Sequence, residues 1–319
     1  MDFKAIRKLT EDGAREYLES LRWPEGVKCV HCGASVVAKL AGKATRPGVY
    51  KCKTSGCRKQ FTVTVGTIFE RSHIPLKTWL EAFALVCASK KGISALQLQR
   101  MLGLGSYQSA WHMAHRIRHV MEGGGDVFGG PGQDVMLDET WVGPKPGNLH
   151  RNKRPGNKGA NLYKTPVVAL IEKGGRAFAM PVAAVTRANV EAIISKRVSR
   201  KSRLLTDDAN RYQRLGRQFE GGHETVNHGD GEYVRGTGAD TISTNEIEAF
   251  FALLKRGVVG SFHHVSKAHL HRYCNEFSFR WSHRKITDAE RTRIALTQMV
   301  GRRLTYQQPL RRERKSVVA

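Results

Sequence analysis

A chain of 319 residues, 40% hydrophobic and 25% charged, has the composition of a folded globular protein, not of a disordered or fibrous one. Its 53 Lys plus Arg against 28 Asp plus Glu leave a net charge of +25, which points to a polyanionic partner, nucleic acid foremost. No apolar run approaches the roughly 18 residues of a membrane span, and no isolated basic amphipathic helix is present to sit on an anionic bilayer.

The N-terminus, MDFKAIRKLTEDGAREYL, carries an early acid and lacks the apolar centre of a signal peptide, so a cytoplasmic location is expected. Residues 1–22 show a broken helical period (Phe3, Ile6, Leu9, then Tyr17, Leu18, Leu21) that reads as one or two short helices. Residues 23–69 are rich in Cys, Gly and short β-type stretches such as FTVTVGTIF, the pattern of a small metal-stapled β module. From 74 to 122 the period changes to 3.6, with breaks at Gly92 and at Gly103 and Gly105, which predicts three helices. The run GGGDVFGGPG at 123–132 reads as a flexible linker. Residues 133–285 then give a strand (QDVMLDETWVG), a basic loop, a hairpin turning at Gly174 and Gly175, a helix, the strand RLLTDD, and the helix STNEIEAFFALLKR. Strands first and then alternating helices and strands predict an α/β mixed sheet with helices packed on it. Residues 286–319 form a basic C-terminal helix and tail.

Six cysteines are present, and four of them fall between 29 and 57, which suits a metal site in a reducing compartment better than a disulfide framework. Cys29-Val-His-Cys32 and Cys52-Lys-Thr-Ser-Gly-Cys57 supply two knuckles, nineteen residues apart, close to the spacing of a zinc ribbon. Four thiolates suit one structural Zn²⁺, which is content with closed tetrahedral sulfur ligation. His31 lies inside the first knuckle as an alternative ligand or a solvent or phosphate contact, while Cys87 and Cys274 read as small core residues.

GISALQLQRMLGLGSYQSAWHMAHRIRHV has the shape of a helix-turn-helix. In its second helix Ala110, Ala114, Ile117 and Met121 recur at core spacing, and His112, His115, Arg116 and His119 form the opposite face. A cationic face on that helix is what groove or phosphate contact requires; an ordinary solvated bundle face is the plainer alternative.

Asp138-Glu139 and Asp207-Asp208 each end a hydrophobic strand, where carboxylates are costly unless paired or metal-bound, or serve as turn residues. In STNEIEAFFALLKR the apolar stripe is Ile247, Phe250, Phe251 and Leu254. At 100° per residue Glu248 and Lys255 share one edge of that stripe, Asn245 lies on the same side, and Glu246 falls on the other flank. Two strand-end acids, a helical acid and a downstream lysine fit two-metal phosphoryl transfer, with the lysine holding a phosphate.

Taken together these blocks resemble the zinc-ribbon-bearing DDE-type transposases of bacterial insertion sequences, whose catalytic motif is two Asp, then Asn or Glu, then Lys. The likeness runs through RWPEGVKCVHCG, QFTVTVGTIFERSHIPLKTWLEAF, KKGISALQLQRMLG, AWHMAHRIR, LDETWVG, KTPVVALIE, LLTDD, VNHGDGEYV, TNEIEAFFALLKRG and FSFRWSHR. It implies a multidomain protein: a β zinc ribbon and an α helix-turn-helix followed by an RNase H-like α/β catalytic domain. It implies Asp138, Asp207, Glu248 and Asn245 as catalytic residues with Lys255, and two Mg²⁺ (or Mn²⁺) held by Asp138, Asp207 and Glu248. The implied partners are element-end and target DNA, with a homo-oligomer on paired ends, and a nucleoid association when bound. The second knuckle departs from the family pattern by its longer gap, and Asp207 is preferred over Asp208 for its Thr-Asp pairing.

The loop at 145–164 holds six Lys or Arg and no acid, and Lys145, Arg151, Lys153, Arg154 and Lys158 are expected to track the DNA backbone, with a solvated loop as the alternative. The tail LRRERKSVV is a similar case, and His228, Asp230 and Glu232 are expected near the catalytic acids. The functional expectation is a DNA transposase; a DNA-binding regulator with an inactive transposase-like domain, or a nuclease of the same fold, are the alternatives.

Overall fold

The computed structural model of the protein describes residues 1–42, 45–144, 147, 150–153, 161, 163–207, 212, 218–227, 232, 234–305 and 307. They divide into two units, Met1–Met121 with Lys285–Ala319, and Glu122–Arg284.

In the first unit α1 (Phe3–Lys8) starts at Asp2, whose carboxylate accepts the Ala5 amide at 2.7 Å, and α2 (Glu11–Arg22) starts at Thr10, whose hydroxyl accepts the Gly13 amide at 3.1 Å. Ile6, Ala14 and Leu18 are their buried positions. The ribbon follows as an antiparallel sheet of β1 (Val37–Lys39), β2 (Tyr50–Cys52) and β3 (Gln60–Phe61). Its core is small: Tyr50 and Phe61 stack at 5.8 Å, and Trp23 meets both edge-on.

Three helices come next, α3 (Leu76–Ala88), α4 (Ala95–Leu102) and α5 (Tyr107–Val120). Ser94 and Ser106 cap the second and third, and Gly103 ends α4 at φ +64°, the left-handed conformation that glycine adopts without strain. The histidine and arginine face of α5 differs from its sequence reading. His115 and Arg116 are buried, and His112 and His119 are half-buried, so His115 and Arg116 are not a surface open to DNA. The Arg116 guanidinium donates to the carbonyls of Ile68 (2.7 Å), Leu304 (3.0 Å) and Glu70 (3.4 Å). Helical spacing shows which residues share a face, but not that a loop and the distant C-terminal segment will cover the polar one.

The second unit is a five-stranded sheet of β4 (Asp134–Val142), β5 (Thr165–Glu172), β6 (Ala177–Pro181), β7 (Arg203–Asp207) and β8 (His223–Val226), in the order β6-β5-β4-β7-β8. The first three strands are antiparallel neighbours; β7 and β8 run parallel to β4. With α6 (Arg187–Arg197) between β6 and β7, this is the RNase H-like topology. A small ribbon, β9 (Val234–Arg235) with β10 (Ile242–Ser243), precedes α7 (Asn245–Gly257), a π-helical turn (Val258–Phe262) and α8 (Leu270–Ser282).

Strand alternation separates two cores. Val135, Leu137 and Leu204 face α6, together with Val190, Ile193 and Ile194. Met136, Val142 and Leu205 face α7 and α8, with Ile247, Phe250, Phe251, Leu254, Cys274 and Phe277. The glycine-rich run at 123–132 is not a free linker throughout. Phe128 is buried in the α6 core and bridges to Val198, and the Gly129 amide donates to Glu172 Oε1 at 2.9 Å. A Cβ on Gly129 would lie 2.1 Å from the Ser202 hydroxyl, so the glycine there permits close packing.

The last of the described α-helices belongs to the first unit. α9 (Asp288–Thr297), opened by a capping box of Thr287 and Glu290, packs against α2 and α3. None of the described helices is long and apolar enough to cross a membrane.

Candidate active site and metal centre

The register of β4 and β7 brings the first two acids together. Met136 pairs with Leu205, and two residues further along each parallel strand are Asp138 and Asp207. Both have the parity of the core under α7, so both side chains leave the sheet on that face. There α7 lays its apolar stripe on the sheet and leaves Glu248 exposed at the edge, as are Asn245 and Lys255. Thr244 steadies the helical acid: its hydroxyl donates to Glu248 Oε1 at 3.4 Å.

Burial pushes the Asp138 carboxyl up to about 7. The Glu139 amide, donating to Asp138 Oδ1 at 2.7 Å, opposes the shift, and the charges of Glu139, Asp207 and Glu248 reinforce it. Asp207 and Glu248 therefore lie near enough to disfavour a charge on the buried Asp138 carboxyl. Hard oxygen donors in that state suit a divalent cation, which relieves the repulsion. Their oxygens are less tightly gathered than the cysteines, the group among the described residues whose ligand atoms all lie within 4.8 Å of one another.

The shift carries a stability consequence. In the folded state Asp138 keeps its proton to about pH 7, whereas an unfolded Asp loses it near pH 3.9. The folded form binds more protons across that window, so stability falls as pH rises from about 4 through 7 and levels off above. Without added Mg²⁺, the thermal midpoint of the native protein relative to Asp138→Asn is expected to drop over this range. A gap independent of pH refutes the coupling.

Glu246, the other acid of the helix, is engaged elsewhere. Its Oε1 accepts the Gly174 amide at 2.8 Å and its Oε2 the Arg284 guanidinium at 3.1 Å, which ties α7 to the β5–β6 turn. The sequence geometry that set Glu246 on the opposite flank from Glu248 matches this. Behind the acids, Glu139 faces the α6 side, where the buried Tyr212 hydroxyl donates to its Oε2. Burial and the Glu139 carboxylate push the Tyr212 phenol well above its usual range. This pair escaped the sequence reading; the only signal was a Glu at a core-parity position of β4, one residue after Asp138.

Of the remaining expected residues, Arg151 is exposed, Lys153 is described in its backbone alone, and Lys145, Arg154 and Lys158 lie outside the described residues. So do Asp208, His228, Asp230 and the tail from 308. Glu232 is half-buried; its carboxylate accepts the Asn227 amide at 3.1 Å and pairs with Arg235 at 3.5 Å.

The cysteine centre is compact. Cys29 Sγ lies 3.8 Å from Cys57 Sγ, and Cys32 Sγ 3.7 Å from Cys52 Sγ. Tetrahedral Zn–S bonds of about 2.3 Å put sulfurs about 3.8 Å apart, so the set fits zinc. The longer second knuckle is absorbed by a turn in which the Cys57 and Arg58 amides both donate to the Thr54 carbonyl, with Arg58 at φ +48°. His31 is not among the clustered ligands; its ring lies edge-on to Phe61.

Residues 131–282 match the ISXO2-like transposase domain, and residues 9–60 match the transposase zinc-ribbon domain. The chain is also 27% identical over 281 residues to an uncharacterized protein in transposable element ISH50 of Halobacterium salinarum, a match spanning 85% of this chain and 91% of that protein.

Proposed function

We propose, from the matches of residues 131–282 to the ISXO2-like transposase domain and of residues 9–60 to the transposase zinc-ribbon domain, that the protein cuts and rejoins DNA at the ends of an insertion sequence. The observation that carries this reading is the placement of Asp138 and Asp207 on one face of an RNase H-like sheet with Glu248 at the edge of the helix laid on it, where burial first and the neighbouring charges second raise the Asp138 carboxyl to about 7. Two Mg²⁺ bound there would supply Lewis-acid stabilisation of the attacking and leaving oxygens in phosphoryl transfer. The three carboxylates would hold the ions. Asn245, one turn before Glu248, is a neutral neighbour able to hydrogen-bond to a ligand or the strand. Lys255, two turns beyond Glu248, offers a point charge to a backbone phosphate.

In this reading the first unit and the basic loop at 145–164 hold DNA, the net charge of +25 supplies salt-sensitive affinity, and the working form is a homo-oligomer on paired ends in the cytoplasm. The zinc ribbon and the exposed surface of the helix-turn-helix recognise the ends; buried His115 and Arg116 are excluded from that role.

The test is incubation with Mg²⁺ and duplex DNA made from the sequence flanking the gene. Nicked ends and joined products are expected. Nicks without joining would point to a nuclease of the same fold, and binding without nicks to a regulator.

A further inference from the structure

A cavity of about 400 Å³ opens at the far end of α7, lined by Gly143 and Pro144 from the exit of β4 and by Val258, Val259, His263, His264 and Val265. We propose that it receives an unstacked nucleobase from the bound DNA strand, a role that rests on the DNA-processing function above and adds a site to it.

Position is the first support. Glu248, Ala252, Lys255 and Val259, spaced i, i+4, i+7 and i+11, are all exposed and form one stripe along α7 into the π-helical turn. At 1.5 Å per residue, that stripe takes about 16 Å to run from the helical acid to the cavity. The second wall leads back to the same place: Gly143 is five residues beyond Asp138 on β4, again about 16 Å at the strand rise. A strand crossing the acids therefore meets the cavity about five nucleotides away at the duplex rise of about 3.4 Å, or fewer if it is stretched.

Chemistry is the second. The cavity is in the size range of small-ligand pockets and has valine walls beside two exposed imidazoles, a lining that suits a flat, heteroatom-edged ring. Val259 is 64% exposed, an apolar residue that a base would cover. Exposed Lys255 and Arg256 lie one turn before the cavity, where the phosphates of the same nucleotide would pass.

Backbone geometry is the third. His263 sits at φ +58°, ψ −42°, the centre of a tight γ-turn closed by the His264 amide donating to the Phe262 carbonyl at 2.6 Å. Such a turn is strained for a residue with a side chain, and it directly follows a π-helical turn, a second departure from regular helix. Both distortions fall where the chain sets the two histidines at the cavity rim.

The test uses duplexes of the gene-flanking sequence with 2-aminopurine placed singly at each of about five positions on either side of the cut. One position is expected to brighten severalfold on binding. Val259→Trp, which fills the cavity from an exposed site, and His264→Ala are both expected to abolish that rise and to weaken binding about tenfold. An abasic site at the same position should bind the native protein and Val259→Trp alike. If DNA is bound and nicked but no position brightens, or if brightening survives both substitutions, the proposal is overturned. Equal weakening on intact and abasic DNA also overturns it, in favour of a phosphate contact. A protein that neither binds nor nicks this DNA removes the transposase reading as well.

Discussion

Asp138→Asn, Asp207→Asn and Glu248→Gln are each expected to lower Mg²⁺-dependent cleavage of end-bearing DNA by about a thousandfold or more. Removing a single group that stabilises a phosphoryl-transfer transition state has effects of that order. The variants should stay folded, and Asp138→Asn should gain stability near neutral pH, because it removes a carboxylate that burial and three neighbouring charges disfavour. Unchanged cleavage in any of the three would remove that residue from the site. Asn245→Ala is expected to cost less than Glu248→Gln; the reverse order would make Asn245 the third ligand and leave Glu248 beside it. Glu246→Gln provides the contrast. It weakens the tie to Gly174 and Arg284, so it should lower the thermal midpoint while cleavage stays within about tenfold.

Stripping zinc, or replacing Cys52 by Ser, is expected to unfold residues 23–69. Zinc contributes about 10–16 kcal/mol to the folding of zinc-finger peptides. Three short strands around Trp23, Tyr50 and Phe61 bury too little apolar surface to replace it. Limited proteolysis should cut within the ribbon after chelation and spare it when zinc is returned. Loss of end-specific DNA binding should accompany the cutting. A ribbon that resists protease without metal, or binds ends equally well, would make the four thiolates incidental.

Much of the molecule was legible because its signals are local. The three helices between 74 and 122 follow from a 3.6-residue apolar period interrupted by glycines, and α4 does end at Gly103. The hairpin of β5 and β6 follows from two apolar runs around Gly174 and Gly175. That Glu246 and Glu248 point to different surroundings needed only the angle between residues on a helix. The longer cysteine knuckle was harder to judge, since whether four intervening residues can fold back depends on the Thr54 carbonyl accepting two amides.

What the sequence determined by itself was therefore many of the elements, though not β8, the β9–β10 ribbon or α8, together with the cysteine ligand set that fits zinc, a net charge of +25 that suits a polyanion, and an amphipathic helix with an acid and a lysine on one edge. Tertiary structure decided which chemistry-bearing side chains are left in the open. The register of β4 against β7 aligned two acids far apart in the chain, and packing on both sides of α5 removed His115 and Arg116 from solvent. Phe128 turned part of a glycine-rich run into core, and the turn after α7 opened a cavity. Periodicity fixes a residue's direction relative to its own helix or strand, but burial depends on what distant segments lay against it, and that is set only when the whole chain packs.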